Sequence, residues 1–380
     1  MNTPINHTQD TKSQNKSQNI QWESLREDLI LLPGPPAQNG APTWSLQDPS
    51  SGSFFRIGKL EFEILKRWHH HDAQKIINDI LNTTLLKPSA NDIEGFYTFL
   101  KSSCLLKSQT PEHTKNLLHI KTSKKTGGSV QTILKNYIFF RINLIKPDAI
   151  LSRLLPYCTF LFQSVFLKCV LIMAAIGAFL VFRDFESFLT GFHVFQSPSG
   201  LIAGFIALGF AKIIHEFAHA ITCKFYGCRV PKMGVAFIVL WPLLWTDTTD
   251  AWRLTDRKKR LAIDGAGMIA ELSLAAIASI LWALLPAGAL KDAMHMLAGI
   301  TWIMTLFVNL NPFMRFDGYY LLSDALDFPN LQDRSFKLAK TFMRRCLWGF
   351  KQDYAEPIQP RLKNWLIIYA YLTWIYRFFL

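Results

Sequence analysis

What the sequence lacks narrows it first. It has no compact cysteine framework. Six cysteines, Cys104, Cys158, Cys169, Cys223, Cys228 and Cys346, are scattered through 380 residues, which excludes a small disulfide-stapled secreted domain. Cys223 and Cys228 have a metal-like interval, but no second pair stands near them, so they read as apolar filler or free thiols. The opening, MNTPINHTQDTKSQNKSQN, has no apolar core and is not a signal peptide. Acidic residues are short, with 28 Asp and Glu against 41 Lys and Arg and a formal net charge of +13. Such an excess can mark a nucleic-acid partner, yet here the basic residues sit beside long apolar runs, as the cytoplasmic flanks of membrane segments do.

What is present divides sharply. Residues 1–20 are Asn, Gln, Ser, Thr and Lys with few apolar residues, and read as a disordered tail. Residues 21–110 carry short strand candidates in LILLPGPP and PTWSLQDPSSGSFFRI, separated by Pro-Gly and Asp-Pro-Ser-Ser-Gly turns. Helical spacing follows over 60–68, with Leu60, Ile64 and Trp68 on one face, and again over 72–86. A third helix is expected over 91–106, with Asn91 as its N-cap and Glu94 at the capping-box position. Strands followed by three short helices predict a winged-helix-like α+β module. No run of Arg and Lys marks a recognition helix in it, so nucleic acid is not an expected partner. His69-His70-His71 reads as a solvated helix end, because adjacent helical residues point in different directions. Phe54-Phe55-Arg56-Ile57, the 60–68 helix and the closing Ser103-Cys104-Leu105-Leu106 together resemble the peptide-recognition domain of ribosomally made peptide maturation systems. That resemblance implies capture of an extended peptide along a strand edge; a purely packing or regulatory domain fits the pattern equally well.

Residues 111–157 form a basic linker and an interfacial segment, ILKNYIFFRINLIKPD, too interrupted to span a bilayer. Apolar runs at 158–182, 201–223, 261–285, 294–310 and 365–380 are candidate spans, judged against about 20 apolar residues for an upright crossing. The run 233–245 is too short to cross and reads as a re-entrant hairpin. That reading also keeps Arg253-Leu-Thr-Asp-Arg-Lys-Lys-Arg260 and the basic stretch 334–363 on the same side as the N-terminus, as the positive-inside rule requires. The expected architecture is an α-helical polytopic membrane bundle with a small N-terminal winged-helix-like α+β cytosolic domain. Its membrane core covers 158–322, a cytosolic segment 323–363, and a last transmembrane helix 364–380.

The 201–223 run ends in His215-Glu216-Phe217-Ala218-His219. Residues four apart share one helix face, so His215 and His219 can offer two imidazole nitrogens to one Zn2+, with Glu216 beside them as a proton acceptor. An ionisable residue at the centre of a membrane helix costs about 2.5–3.5 kcal/mol on insertion scales, so three within one and a half turns point to an interior metal site. Asn309-Leu-Asn-Pro-Phe-Met-Arg-Phe-Asp317-Gly318 breaks a later helix and offers Asp317 as the third ligand, with Asn309 or Asn311 as a hydrogen-bond donor to a substrate or oxyanion. Asp247 and Asp250 are rival carboxylates, better read as turn residues. Glu271 reads either as an acceptor that orients a ligating His or, equally well, as a partner in a structural hydrogen bond, and Gly265 and Gly267 are expected to let their helix approach a neighbour closely.

These two motifs together resemble the site-2 protease family of intramembrane zinc metalloproteases. WTDTTDAWRL, DGAGMIAEL and RFDGYYLLSD are similar, more narrowly, to a branch of peptide zinc metalloproteases that occurs with peptide-export machinery. The resemblance implies His215, His219 and Asp317 as zinc ligands, Glu216 as catalytic base and Asn309 as a second catalytic residue. It implies a peptide or membrane-protein substrate, an exporter or secretion adaptor as partner, and the bacterial inner membrane as location, with the N-terminus cytoplasmic. Phe316 departs from the Leu common at that position in the family, and the ending inside an apolar run suggests a short version of the chain. A non-proteolytic membrane component of a peptide-export or immunity system is the alternative.

Overall fold

Short apolar runs punctuated by turn residues make the strands of the N-terminal part, and amphipathic spacing makes its helices. The structure, a computed structural model, describes residues 22–37, 40–107, 139–238, 241–349 and 358–380. It divides into two compact units, Met1–Thr132 and Ile133–Leu380. The tail at 1–20 and the basic linker beginning at 111 lie outside the described residues.

In the first unit an antiparallel sheet of order β1-β2-β3 comprises β1 (Ile30–Pro33), β2 (Trp44–Asp48) and β3 (Ser53–Ile57). Three helices follow, α1 (Lys59–Lys66), α2 (Ala73–Thr83) and α3 (Ala90–Ser102). Ile64, Ile76, Ile80, Ile93 and Leu100 bring the apolar stripes of these helices into one core with Leu46 and Ile57 of the sheet. Trp22 lies against Trp68 and Tyr97, which ties the start of the described chain to this core. The N-cap of α3 is Ser89, not Asn91. The Ser89 hydroxyl accepts from the Asp92 N–H at 3.3 Å while the Asp92 carboxylate accepts from the Ser89 N–H at 2.9 Å. Ser-x-x-Asp meets the capping-box requirement two residues earlier than Asn-x-x-Glu does, and Asn91 and Glu94 fall inside the first turns. His71 turns into the left-handed region at φ 51° with its ring nitrogen 2.9 Å from the Trp22 carbonyl, so the His run closes a turn.

The second unit is mostly helical. Its first described element is β4 (Phe139–Ile145), which the sequence presented as an interfacial segment and which pairs antiparallel with β5 (Met233–Ile238). β5 turns back into β6 (Trp241–Thr246), in register from Met233–Thr246 to Ile238–Trp241. The expected hairpin is therefore a β-hairpin, widened to a three-stranded sheet by a strand from far upstream. Helices α4 (Asp148–Cys158), α5 (Ser164–Arg183), α6 (Phe185–Thr190) and α7 (Pro198–Phe225) come next in the chain after β4. After the hairpin come α8 (Arg257–Leu284), α9 (Ala289–Ile303) with a π-helical continuation Met304–Asn309, α10 (Asp317–Ala325), α11 (Leu331–Trp348) and α12 (Pro360–Phe379).

Three of these helices, α5, α7 and α8, are long and apolar enough to cross a membrane. At 15 residues α9 spans only about 22 Å by itself, and α12 carries Arg361, Lys363 and Arg377 within its length. α8 is the central element and packs against α5, α7, α9 and α10. Small residues permit this: Ala275, Ala276 and Ser279 of α8 are buried where Gly177 of α5 comes close.

Candidate metal centre

Two imidazoles from one helix and a carboxylate from a distant one meet against α8. His215 and His219, four apart on α7, are both buried. Their Nε2 atoms lie 3.1 Å apart. Asp317, the first residue of α10, brings its Oδ2 to 2.8 Å from His215 Nε2 and 3.3 Å from His219 Nε2. Among the described residues this is the one group of three or more His, Cys, Asp or Glu side chains placed to hold a metal ion.

The surroundings of the other ring nitrogens favour Nδ1 as the protonated position. His219 Nδ1 lies 2.7 Å from the backbone carbonyl of Ile263, which can only accept, so Nδ1 carries the proton. His215 Nδ1 lies 2.9 Å from Glu271 Oε1, a contact too bent for a straight hydrogen bond but close enough that a bare lone pair there would face an anion. With both protons on Nδ1, three unprotonated acceptors converge: two Nε2 atoms and a carboxylate oxygen. Donors around a tetrahedral zinc at about 2.0–2.1 Å are about 3.3 Å apart, close to the separations found here. The residues present fit a divalent cation with two nitrogen ligands and one oxygen ligand.

Local structure explains why each ligand arrives. α8 passes directly over the imidazoles at Gly267, where a Cβ would fall 2.4 Å from His215 Cε1 and 2.5 Å from His219 Nε2. Gly318 plays the same part for α10. A Cβ there would meet the Leu310 backbone at 2.6 Å and the Asn309 carbonyl oxygen at 2.8 Å, so only glycine after Asp317 lets α10 start against the end of the π-helix. Arg260 of α8 ties α10 down through Asp324 at 3.0 Å and Asp327 at 3.6 Å. The loop before Asp317 is gripped from the C-terminal side. Gln332 Nε2 donates to the Phe313 carbonyl at 2.9 Å, the Tyr369 hydroxyl to the Pro312 carbonyl at 2.7 Å, and Asn311 Nδ2 to the Tyr376 hydroxyl at 2.6 Å.

Glu216 projects one residue on from His215. It is half-buried, and its carboxylate makes no hydrogen bond or ion pair among the described residues, while its backbone carbonyl accepts from Thr246 of β6 at 3.3 Å. Asn309 is buried and faces Glu271: its Nδ2 donates to Glu271 Oε2 at 2.5 Å, so that N–H is not turned toward a substrate position. Asn311 belongs to the loop clamp described above. Asp247 accepts from the Thr249 N–H at 3.2 Å, a local turn contact, and Asp250 accepts from the Arg229 N–H at 2.8 Å, which ties the segment after β6 to the loop after α7; neither joins the ligand group. All six cysteines are free, with Cys223 and Cys228 buried in an apolar cluster beside α4.

Sequence reasoning passed over Lys212, Thr305 and Gln332. Lys212 and Thr305 both reach Glu271, at 2.7 Å and 3.0 Å. The available signal for Lys212 was a lone cation in an otherwise apolar run, one turn before His215. Thr305 and Gln332 left no comparable mark, since their roles depend on the π-helical turn and on long-range packing.

No protein-family model matches the chain, and no solved structure does. A stretch of 72 residues is 38% identical to an uncharacterized protein of Methanocaldococcus jannaschii, covering 19% of this chain and 20% of that protein. The chain thus matches only about a fifth of that relative's length.

Proposed function

We propose that the chain is a multi-pass membrane zinc metalloprotease of the site-2 type, hydrolysing peptide bonds in or beside the bilayer during peptide maturation or export. The observation that carries this reading is the convergence of His215 Nε2, His219 Nε2 and Asp317 Oδ2, with His219 Nδ1 turned to the Ile263 carbonyl. A zinc ion held by the three would supply a Lewis acid that makes water acidic near neutral pH. Glu216, next to His215 in sequence and with no hydrogen bond or ion pair on its carboxylate among the described residues, would serve as the group that holds a proton and returns it to the leaving amine. The two imidazoles are buried against α8, which strengthens their charge interactions. β6 runs beside the Glu216 turn of α7, so an extended peptide has a strand edge close to the reacting groups. Asn309 acts through Glu271 in this reading and is a positioning residue.

The test is Glu216→Gln. Peptide profiles of cells producing the wild type and the variant should differ by at least one processed product, while both purified proteins carry one zinc per chain. A variant that still yields the product removes Glu216 from the mechanism. Unchanged products with lost export would point to the non-proteolytic component instead.

A further inference from the structure

Lys212 is out of place in an apolar helix that only has to cross a bilayer. It stands in IALGFAKIIHE, one turn before His215. Its side chain does not run outward to a membrane surface. It is 19% exposed and places Nζ 2.7 Å from Glu271 Oε1 and 3.4 Å from Asn309 Oδ1. Glu271 is itself fully buried. Its Oε1 faces Lys212 and His215, and its Oε2 accepts from Thr305 at 3.0 Å and Asn309 at 2.5 Å. The two donors on Oε2 come from a π-helical turn, an element often retained at functional sites. A carboxylate removed this far from water is tolerated only with a compensating cation. Among the described residues Lys212 is the one Lys or Arg within hydrogen-bonding reach of it.

The oxygen that Lys212 holds is the same oxygen that meets His215 Nδ1. We propose that Lys212 is a positioning residue of the metal centre: its ion pair with Glu271 fixes Oε1, which orients the His215 ring and turns Nε2 toward the ion. The inference rests on the metal reading above. Partners of this kind typically change metal affinity by about 10- to 100-fold when removed. A salt bridge that merely fastened α7 to α8 would change stability and leave affinity alone.

The experiment uses the full chain in detergent micelles, titrated with Zn2+ against a competing chelator, with Co2+ absorption as a second readout of ligand geometry. Lys212→Met should weaken Zn2+ binding about 10- to 100-fold and alter the Co2+ spectrum, and Lys212→Arg should recover most of the affinity. In a Glu271→Gln background the Lys212→Met change should add little, because the two act in series. Lys212→Met binding like the wild type, or a full additional loss in the Glu271→Gln background, overturns the proposal even if Lys212→Met alone folds poorly. A wild type that binds no Zn2+ removes the metal reading and this inference with it; a wild type that binds beside an equally competent Lys212→Met removes this inference alone.

Discussion

Gly267→Ala is the most economical challenge to the site, because it adds a single methyl group. In an unhindered helix the change is favourable by about 1 kcal/mol. Here the methyl carbon would sit 2.4 Å from His215 Cε1, 2.5 Å from His215 Nε2 and 2.5 Å from His219 Nε2. Ordinary contact begins about 1 Å further out. The rings have little room to retreat. His219 is held at 2.7 Å by the Ile263 carbonyl of the same helix, and His215 is buried with Glu271 Oε1 2.9 Å from its Nδ1. Either α8 moves back or both Nε2 atoms do, by about 1 Å, whereas metal–ligand distances tolerate about 0.2 Å. We expect zinc affinity to fall by at least about 100-fold, with overpacking lowering stability by about 1–3 kcal/mol. The control lies two residues away. At Gly265 a Cβ would meet only Leu321 Cδ1 at 3.9 Å, so Gly265→Ala should bind zinc normally and melt no lower. Zinc titration and thermal unfolding of both variants check the argument. Normal zinc binding by Gly267→Ala would show that α8 does not press on the imidazoles, and the site geometry would have to be abandoned.

Two further outcomes follow. Gly318→Ala should push α10 off the Leu310 and Asn309 backbone and draw Asp317 away, abolishing zinc binding in the same titration. In that first unit, burial of Asp48 opposes its charge, but hydrogen bonds from Ser50, Ser51 and Arg26 outweigh it and hold the carboxyl down at about 2. The folded value lies below the unfolded one, so this stabilisation is complete above about pH 4 and is lost as pH falls toward 2. Protection factors of the β2 amides, that is, exchange rates corrected for the intrinsic pH dependence of amide exchange, should fall across that window in the wild type and lose most of that fall in Asp48→Asn.

The parts legible in the sequence were those whose physics is local. The i, i+4 spacing of His215 and His219 needs only a helix, and the helix needs only an apolar run without proline. The turns that separate β1, β2 and β3 are written as Pro-Gly and Ser-Ser-Gly. The meeting of Asp317 with the two imidazoles was also expected, from Asn-Pro breaking a helix ahead of Asp-Gly, although the nearer imidazole in sequence, His219, is 98 positions away. What was not legible depends on distant pairing. FFRINLI looks interfacial by itself because its alternation of apolar and polar residues suits a lipid boundary and an exposed sheet equally. Only pairing with β5 makes it a strand. The role of Asn309 was misdirected for a similar reason. The sequence shows an amide near a helix break, but not that a π-helical turn rotates it toward Glu271. Gln332 looks like one more polar residue of a basic stretch, yet it is buried and takes Arg315 and Arg377 on its oxygen while donating to the loop.

The two sides of the His215 ring differ in a way that separates ligating histidines from histidines that merely bridge helices. On the Nδ1 side Glu271 gathers one cation and two neutral donors, and the ring nitrogen lies 2.9 Å from its Oε1. On the Nε2 side acceptors face acceptors. A bridging histidine would place an N–H against its partner, and a second proton on His215 could indeed serve Asp317 at 2.8 Å. That proton would leave His219 Nε2 opposed to a nitrogen at 3.1 Å and a carboxylate oxygen at 3.3 Å, with its own hydrogen already given to Ile263. One proton cannot lie on three lone pairs, and a second would add at least one imidazolium charge to a buried site, which is costly. A single divalent cation accepts all three lone pairs at once and offsets the Asp317 charge, which is why the geometry favours an ion over a hydrogen-bonded cluster.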